Sequence, residues 1–153
     1  PNLSGPDEPG EIGDEARASI RSLLRSLTGD DASIDRWFGS FITEPKRDRF
    51  AMPLPEDLSE ADIREAIRSG QGVRRGPATR LAFIRHEDGT ASLFVNGSEI
   101  LLGDEIAYAA PILTGAEFIP DDDLRPHLDD DAFTSLLQHL VNDGLLELSP
   151  SLA

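Results

Sequence analysis

The chain has 153 residues, a formal net charge of −15, 39% hydrophobic residues and no cysteine. That length holds one ordinary domain or two small ones and can bury a core. The composition excludes disulfides and Cys-ligated metals. The charge argues against nucleic acid, whose phosphates need a basic surface, and no apolar run approaches the ~18 residues of a membrane span. The acidity suits a basic protein partner and equally suits plain solubility. A start at Pro1 rather than Met fits a fragment or a processed chain, and no signal peptide is visible. A cytosolic address is compatible with all of this.

Residues 1–10 are rich in Pro and Gly and read as a linker or arm. From Ile12 to Leu27 the pattern is helical. Ala16, Ile20, Leu23, Leu24 and Leu27 form an apolar stripe, and Gly29 suits the C-terminal cap. A second helix carries Ile34, Trp37, Phe38, Phe41 and Ile42 at i, i+3, i+4, i+7 and i+8. Asp30 or Asp31 caps it and Pro45 ends it. Two such helices have few partners in their own stretch of chain. They bury their stripes against a further domain or a second protomer, or else pack as a hairpin on the C-terminal part.

Residues 46–57 read as an extended crossover with Pro53 and Pro55. A helix then starts at a capping box, Ser59 with Asp62, flanked by a Leu58–Ile63 staple, and Gly70 closes it. A β-meander follows: a short strand at Val73–Arg75, then Leu81–His86, Ala91–Val95 and Glu99–Leu102. Asp88-Gly89 and Asn96-Gly97 supply its turns. Asp104 can cap a helix through Leu113, with Pro111 kinking it or sitting near its end. A short helix is expected at Asp122–Leu128. A longer one carries Phe133, Leu136, Leu137, Leu140 and Val141, capped by the Asp129–Asp131 run and stopped by Gly144. Leu145–Leu148 reads as a strand. Helices and a strand after a meander make a winged-helix-like order.

One stretch carries more than periodicity. Trp37-Phe38-Gly39-Ser40-Phe41-Ile42-Thr43-Glu44-Pro45-Lys46 resembles the F-G-x-F-x-(T/S)-E-P-K segment of bacterial JmjC-type, cupin-like ribosomal oxygenases. Phe94-Val95-Asn96-Gly97 and Leu140-Val141-Asn142-Asp143-Gly144 add to the similarity, which runs over nearly all of residues 11–149. The resemblance implies a parent enzyme that uses Fe(II) and 2-oxoglutarate to hydroxylate an arginine of a large-subunit ribosomal protein. It implies that residues 11–45 are a helical dimerisation region and 58–149 a winged-helix-like domain. The family's catalytic barrel would precede Pro1, which leaves this chain as the non-catalytic end.

Few constellations offer chemistry. His86-Glu87-Asp88 has the H-x-D spacing of a 2-oxoglutarate oxygenase, with His127 or His139 as a third ligand. Asp88 belongs to an Asp-Gly turn, however, and a double-stranded β-helix needs more strands than this chain offers, so the triad reading is rejected. His127 and His139 read as helix-surface residues. Asp121-Asp122-Asp123 and Asp129-Asp130-Asp131 lack the alternating spacing and central Gly of a calcium loop, and helix capping explains both runs. No Gly-rich phosphate loop and no arguable Ser/His/Asp set is present. Residues 99–153 carry twelve acids and one base, Arg125, so the winged-helix pattern lacks a DNA-reading surface.

The expectation is therefore an α+β chain with no catalytic, cofactor or metal residue of its own. Its candidate dimerisation residues are Ile20, Leu24, Trp37 and Phe41. Its candidate substrate-docking residues are Asp121, Asp122 and Asp123. The expected partners are a second copy of the chain and a basic ribosomal protein in the cytoplasm, with no membrane or nucleic acid. The rival is a stand-alone acidic interaction module with no catalytic parent; a transcription factor is a weaker one.

Overall fold

The computed structural model describes residues 14–27, 30–45 and 50–150. The expected arm at 1–10, the Gly29 cap and the start of the crossover at 46–49 lie outside the described residues, as do the side chains of Ala16 and Leu27. Two helices come first, α1 at Asp14–Leu27 and α2 at Asp31–Thr43. Asp30 caps α2 by accepting from Ser33 N at 2.7 Å. The boundary between two compact units falls inside α2, between Trp37 and Phe38.

The second unit is α+β. Helix α3 spans Glu60–Arg68 and is closed at its start by the Ser59–Asp62 capping box. Gly70 ends it at φ +99°. Strands β1 (Gln71–Arg75), β2 (Leu81–Arg85), β3 (Ala91–Val95) and β4 (Ser98–Leu102) follow. Then come α4 (Ala109–Thr114), β5 (Phe118–Ile119), α5 (Asp121–Leu124), a 3-10 turn at Arg125–His127, α6 (Asp131–Asn142) and β6 (Leu146–Pro150).

Two antiparallel three-stranded sheets result, ordered β5-β1-β6 and β2-β3-β4. The meander is β2-β3-β4. Its second turn has Asn96 and Gly97 both at positive φ, as a type I′ turn requires. The strand expected at Val73–Arg75 is not part of this meander. Val73 faces Leu148 of β6 and Ile119 of β5 instead, a pairing across more than seventy residues that local pattern cannot encode. The helix expected from Asp104 begins only at Ala109. Before it the chain makes tight turns, with Ile106 N bonding Gly103 O and Ala109 N bonding Ile106 O. Pro111 then sits in the first helical turn, where no N–H is needed.

The core joins α3, α4 and α6 to the inner faces of both sheets through Ile63, Ile67, Val73, Leu93, Leu113, Leu137 and Leu140. Helix α6 ends in a Schellman motif: Leu145 N bonds Leu140 O, Gly144 N bonds Val141 O, and Gly144 sits at φ +70°.

Strand β3 is buried along its whole length. Ala91, Leu93 and Val95 belong to the core, so alternation turns Ser92 and Phe94 to the other face. The C-terminal half of α2 covers Phe94. A Cβ on Gly39 would overlap the Phe94 ring. Thr43 Oγ1 donates to Gly39 O at 2.9 Å and accepts from Gly97 N at 3.0 Å. Arg80 Nη1 donates to Glu44 O at 3.4 Å, while Arg80 N donates to Asn96 Oδ1 at 2.8 Å. The stretches Phe38–Glu44 and Phe94–Gly97 thus form a single junction.

The third motif is also a junction. Asn142 Oδ1 accepts from Leu58 N and its Nδ2 donates to Leu58 O, both at 3.0 Å. Gln138 Nε2 donates to the same carbonyl at 2.9 Å, and Leu54 N donates to Asn142 O at 2.9 Å. The extended chain before α3 is strapped onto the end of α6 in this way. Gly144 is required there because a side chain would strike the Met52 backbone.

Candidate docking site

Two surfaces attract attention, one apolar and one acidic. On α1, Ile20 and Leu23 are exposed and Leu24 is half-buried. On α2, Ile34, Trp37, Phe38, Phe41 and Ile42 are between 43% and 57% exposed. All four expected dimerisation residues therefore lie on helices, and three of them, Ile20, Trp37 and Phe41, remain well exposed. Phe50 and Met52 are more exposed still.

The acidic surface lies at α5. The three aspartates expected to act together are in three different environments. Asp121 is buried, and its carboxylate meets Arg125 Nη2 at 2.5 Å. Asp122 is exposed and reaches the same guanidinium at 3.7 Å. Asp123 is exposed and borders a cleft of about 350 Å³. Ile112, Phe118, Ile119 and the Gly115–Ala116 turn make up the rest of the cleft, together with His127. Side-chain capping does not explain this run, because Pro120 is the N-cap of α5 and offers no side-chain bond. Capping does explain the second run. Asp130 Oδ1 accepts from Ala132 N at 2.9 Å and Phe133 N at 3.4 Å. Arg64 and Arg68 neutralise its neighbours Asp131 and Asp129.

His127 is not a helix-surface residue. Its ring lies 4.9 Å from Tyr108 and 5.3 Å from Phe133. The Tyr108 hydroxyl donates to Asp130 Oδ2 at 2.6 Å. Burial, and then the Asp130 carboxylate, push the Tyr108 phenol well above its ordinary range. The same bond, followed by the Phe133 and Ala132 amides, holds Asp130 below the usual carboxylate value. The Asp130–Phe133 segment thereby locks the wall of the cleft. Spacing offered no signal for this cluster, whereas Asp121 and Arg125 stand at i, i+4, a readable ion-pair spacing.

The H-x-D pair is bonded within its own hairpin. Asp88 Oδ1 accepts from Thr90 N at 2.9 Å and Thr90 Oγ1 at 2.6 Å, and these bonds lower its pKa. Ser92 Oγ donates its single proton to Glu99 Oε1 at 2.6 Å. His86 Nε2, 2.7 Å from that hydroxyl, must then be the donor to it. Nε2 so protonated offers no lone pair to a metal, which leaves only Nδ1 as an acceptor on that ring. Among the described residues, no three His, Asp or Glu side chains cluster as metal ligands would.

A sequence model of the ROXA-like winged helix family matches residues 23–147. The chain belongs to that family. No curated protein matches it in sequence. Its fold is shared with a ribosomal oxygenase from Escherichia coli, YcfD. One structure of that protein superposes with a TM-score of 0.67 at 20% identity, covering 97% of this chain and 39% of the other. Another, in complex with cobalt and 2-oxoglutarate, superposes with a TM-score of 0.66 at the same identity and coverage. This ROXA-like winged-helix chain therefore spans about two fifths of the length of the oxygenase chains it resembles. Among the described residues, no helix is long and apolar enough to cross a membrane.

Proposed function

We propose that the chain is the non-catalytic C-terminal region of a cytoplasmic, JmjC-type, Fe(II)- and 2-oxoglutarate-dependent oxygenase that hydroxylates an arginine of a large-subunit ribosomal protein. The region serves assembly and substrate docking. The observation that carries the reading is the family match over residues 23–147, joined to a fold likeness with a ribosomal oxygenase over nearly the whole chain. Iron and 2-oxoglutarate are assigned to the parent's barrel; in this chain His86, Asp88 and Asp130 are engaged in bonds of their own.

The assembly role rests on the apolar side chains of α1 and α2. Ile20, Trp37 and Phe41 are about half exposed, and burying each such side chain fully is worth ~1.5–3 kcal/mol. A second copy of the chain is the occupant that supplies a matching face. The docking role rests on the excess of acids after residue 98, which favours a basic partner.

The test uses the full-length gene product. Incubated with Fe(II), 2-oxoglutarate and O2, it should add one oxygen atom to an arginine of a basic ribosomal protein, read by mass spectrometry. A version lacking this region should lose the dimer in light scattering and much of the hydroxylation. A reading frame with no H-x-D…H barrel, or a barrel equally active and dimeric without the region, would overturn the proposal and leave an acidic interaction module.

A further inference from the structure

We infer that the cleft between the Gly115–Ala116 turn and α5 is a pocket for one lysine or arginine side chain of a polypeptide. This rests on the reading that the acidic edge receives a basic partner, and it specifies a contact within that edge. At about 350 Å³ the cleft is at the lower end of the ~300–1000 Å³ range of small-molecule sites. It holds a long side chain more readily than a cofactor.

The lining selects the chemistry of the occupant. Ile112, Phe118 and Ile119 offer apolar wall to an aliphatic stem. Lysine and arginine lay such stems along apolar surface while keeping the charged head near water. Asp123 supplies the counter-charge. Asp121 and Asp122 both engage Arg125, whereas Asp123 is exposed and makes no ion pair among the described residues. An anionic occupant would face the Asp123 carboxylate, and a purely apolar one would strip water from it.

Two neighbours refine the placement. Arg74 lies over the Phe118 ring, 5.2 Å from its centroid. The ring therefore already carries a cation, so an incoming head group is directed to Asp123 rather than to the aromatic face. His127 is held against Tyr108 and Phe133. The wall opposite the turn is thus fixed before any partner arrives, which lowers the ordering cost of binding.

The test is amide NMR on the 15N-labelled full chain. It is titrated with a capped Gly-Gly-Arg-Gly-Gly peptide, its lysine counterpart, and a control in which neutral citrulline replaces arginine. The expected result is saturable shifts centred on Gly115–Ile119 and Asp123–His127 with either basic peptide and none with citrulline. Asp123→Asn should weaken binding by about two- to fivefold, the range of an exposed ion pair, while Asp122→Asn leaves it near the parent value. Absent shifts, shifts spread over the whole acidic surface, or equal effects of the two substitutions would overturn the pocket. Oligolysine separates this from the underlying reading. If its salt-sensitive binding persists while the single-residue peptides leave the cleft unmoved, the pocket fails and the acidic edge stands. If oligolysine itself does not bind, the edge fails with it.

Discussion

Replacing Gly39 by alanine should destabilise the protein, against the ordinary expectation for a helix interior. In an isolated helix the change stabilises by ~0.5–1 kcal/mol, because glycine loses more backbone freedom on folding. Here the new methyl would lie 2.6 Å from Phe94 Cδ2 and closer still to Cε2 and Cζ. Phe94 is 0% exposed and cannot swing into solvent. Forcing a methyl into a packed contact costs ~1–3 kcal/mol, so the clash outweighs the propensity and the net loss is about 1–2 kcal/mol. For a chain of this size that lowers Tm by roughly 2–8 °C. Urea unfolding followed by far-UV circular dichroism measures the loss, and Trp37 fluorescence reports whether α2 lifts away first. The pair Gly39→Ala and Phe94→Leu closes a double-mutant cycle. The smaller side chain should make room, giving a coupling of at least ~0.5 kcal/mol. A Gly39→Ala protein more stable than its parent, with effects that simply add, would refute the junction.

Other outcomes follow from the same contacts. Asn142→Leu removes both bonds to Leu58 and leaves its N–H without a partner, which should cost ~2–3 kcal/mol and speed hydrogen exchange at Leu54 and Leu58. Acid should unfold the chain through its caps. Asp30, Asp62 and Asp130 have lowered folded-state pKa values, so their contribution is present above the unfolded value of 3.8 and is lost as pH falls below it. Asp130→Asn should make the unfolding curve between pH 5 and pH 2 shallower; an unchanged slope (~ within error of the parent) would remove Asp130 from that role. Leu24→Asp should shift light scattering toward monomer, and a parent already monomeric at high concentration would end the assembly reading. Replacing Asp122 and Asp123 by Asn should slow association of a basic ribosomal protein at low salt and flatten its salt dependence. Asp121 is left out of that variant because its loss would strand Arg125.

Local chemistry was readable where the physics is local. The Ser59–Asp62 box, the Asn96-Gly97 turn, the Asp130 cap and the Gly144 stop each depend on residues within a few positions, and each is found. What escaped was set by distant partners. Val73 gives no hint that its strand pairs with Leu148 rather than with β2. His127 looks like a surface histidine until the turns after Gly103 bring Tyr108 against it. At the candidate site, the charge of Asp123 is legible in the sequence, while the apolar lining of its cleft comes from Ile112, Phe118 and Ile119 on elements folded in from elsewhere. Asp121 stands at i, i+4 from Arg125, a spacing that argues for the internal ion pair the structure shows.

The junction at Gly39 also bears on why the helical face is exposed. Gly39 and Thr43, four residues apart, lie on one side of α2, and that side meets Phe94 and Gly97. At ~100° per residue the centre of the Ile34, Trp37, Phe38, Phe41 and Ile42 stripe lies about 150° away around the helix. The end of the helix is thus anchored to β3 and its turn through Gly39 and Thr43, with Phe38, Phe41 and Ile42 on its other side. Helices of globular domains normally do the reverse, burying the bulky stripe and exposing the small or polar side. Five apolar side chains of α2 stay between 43% and 57% exposed. This is the arrangement expected if the Gly39–Thr43 anchor fixes the orientation of a face meant for another surface. If the proposed assembly holds, the glycine bears on it through the close approach to Phe94, which fixes the rotation of the last turns of α2.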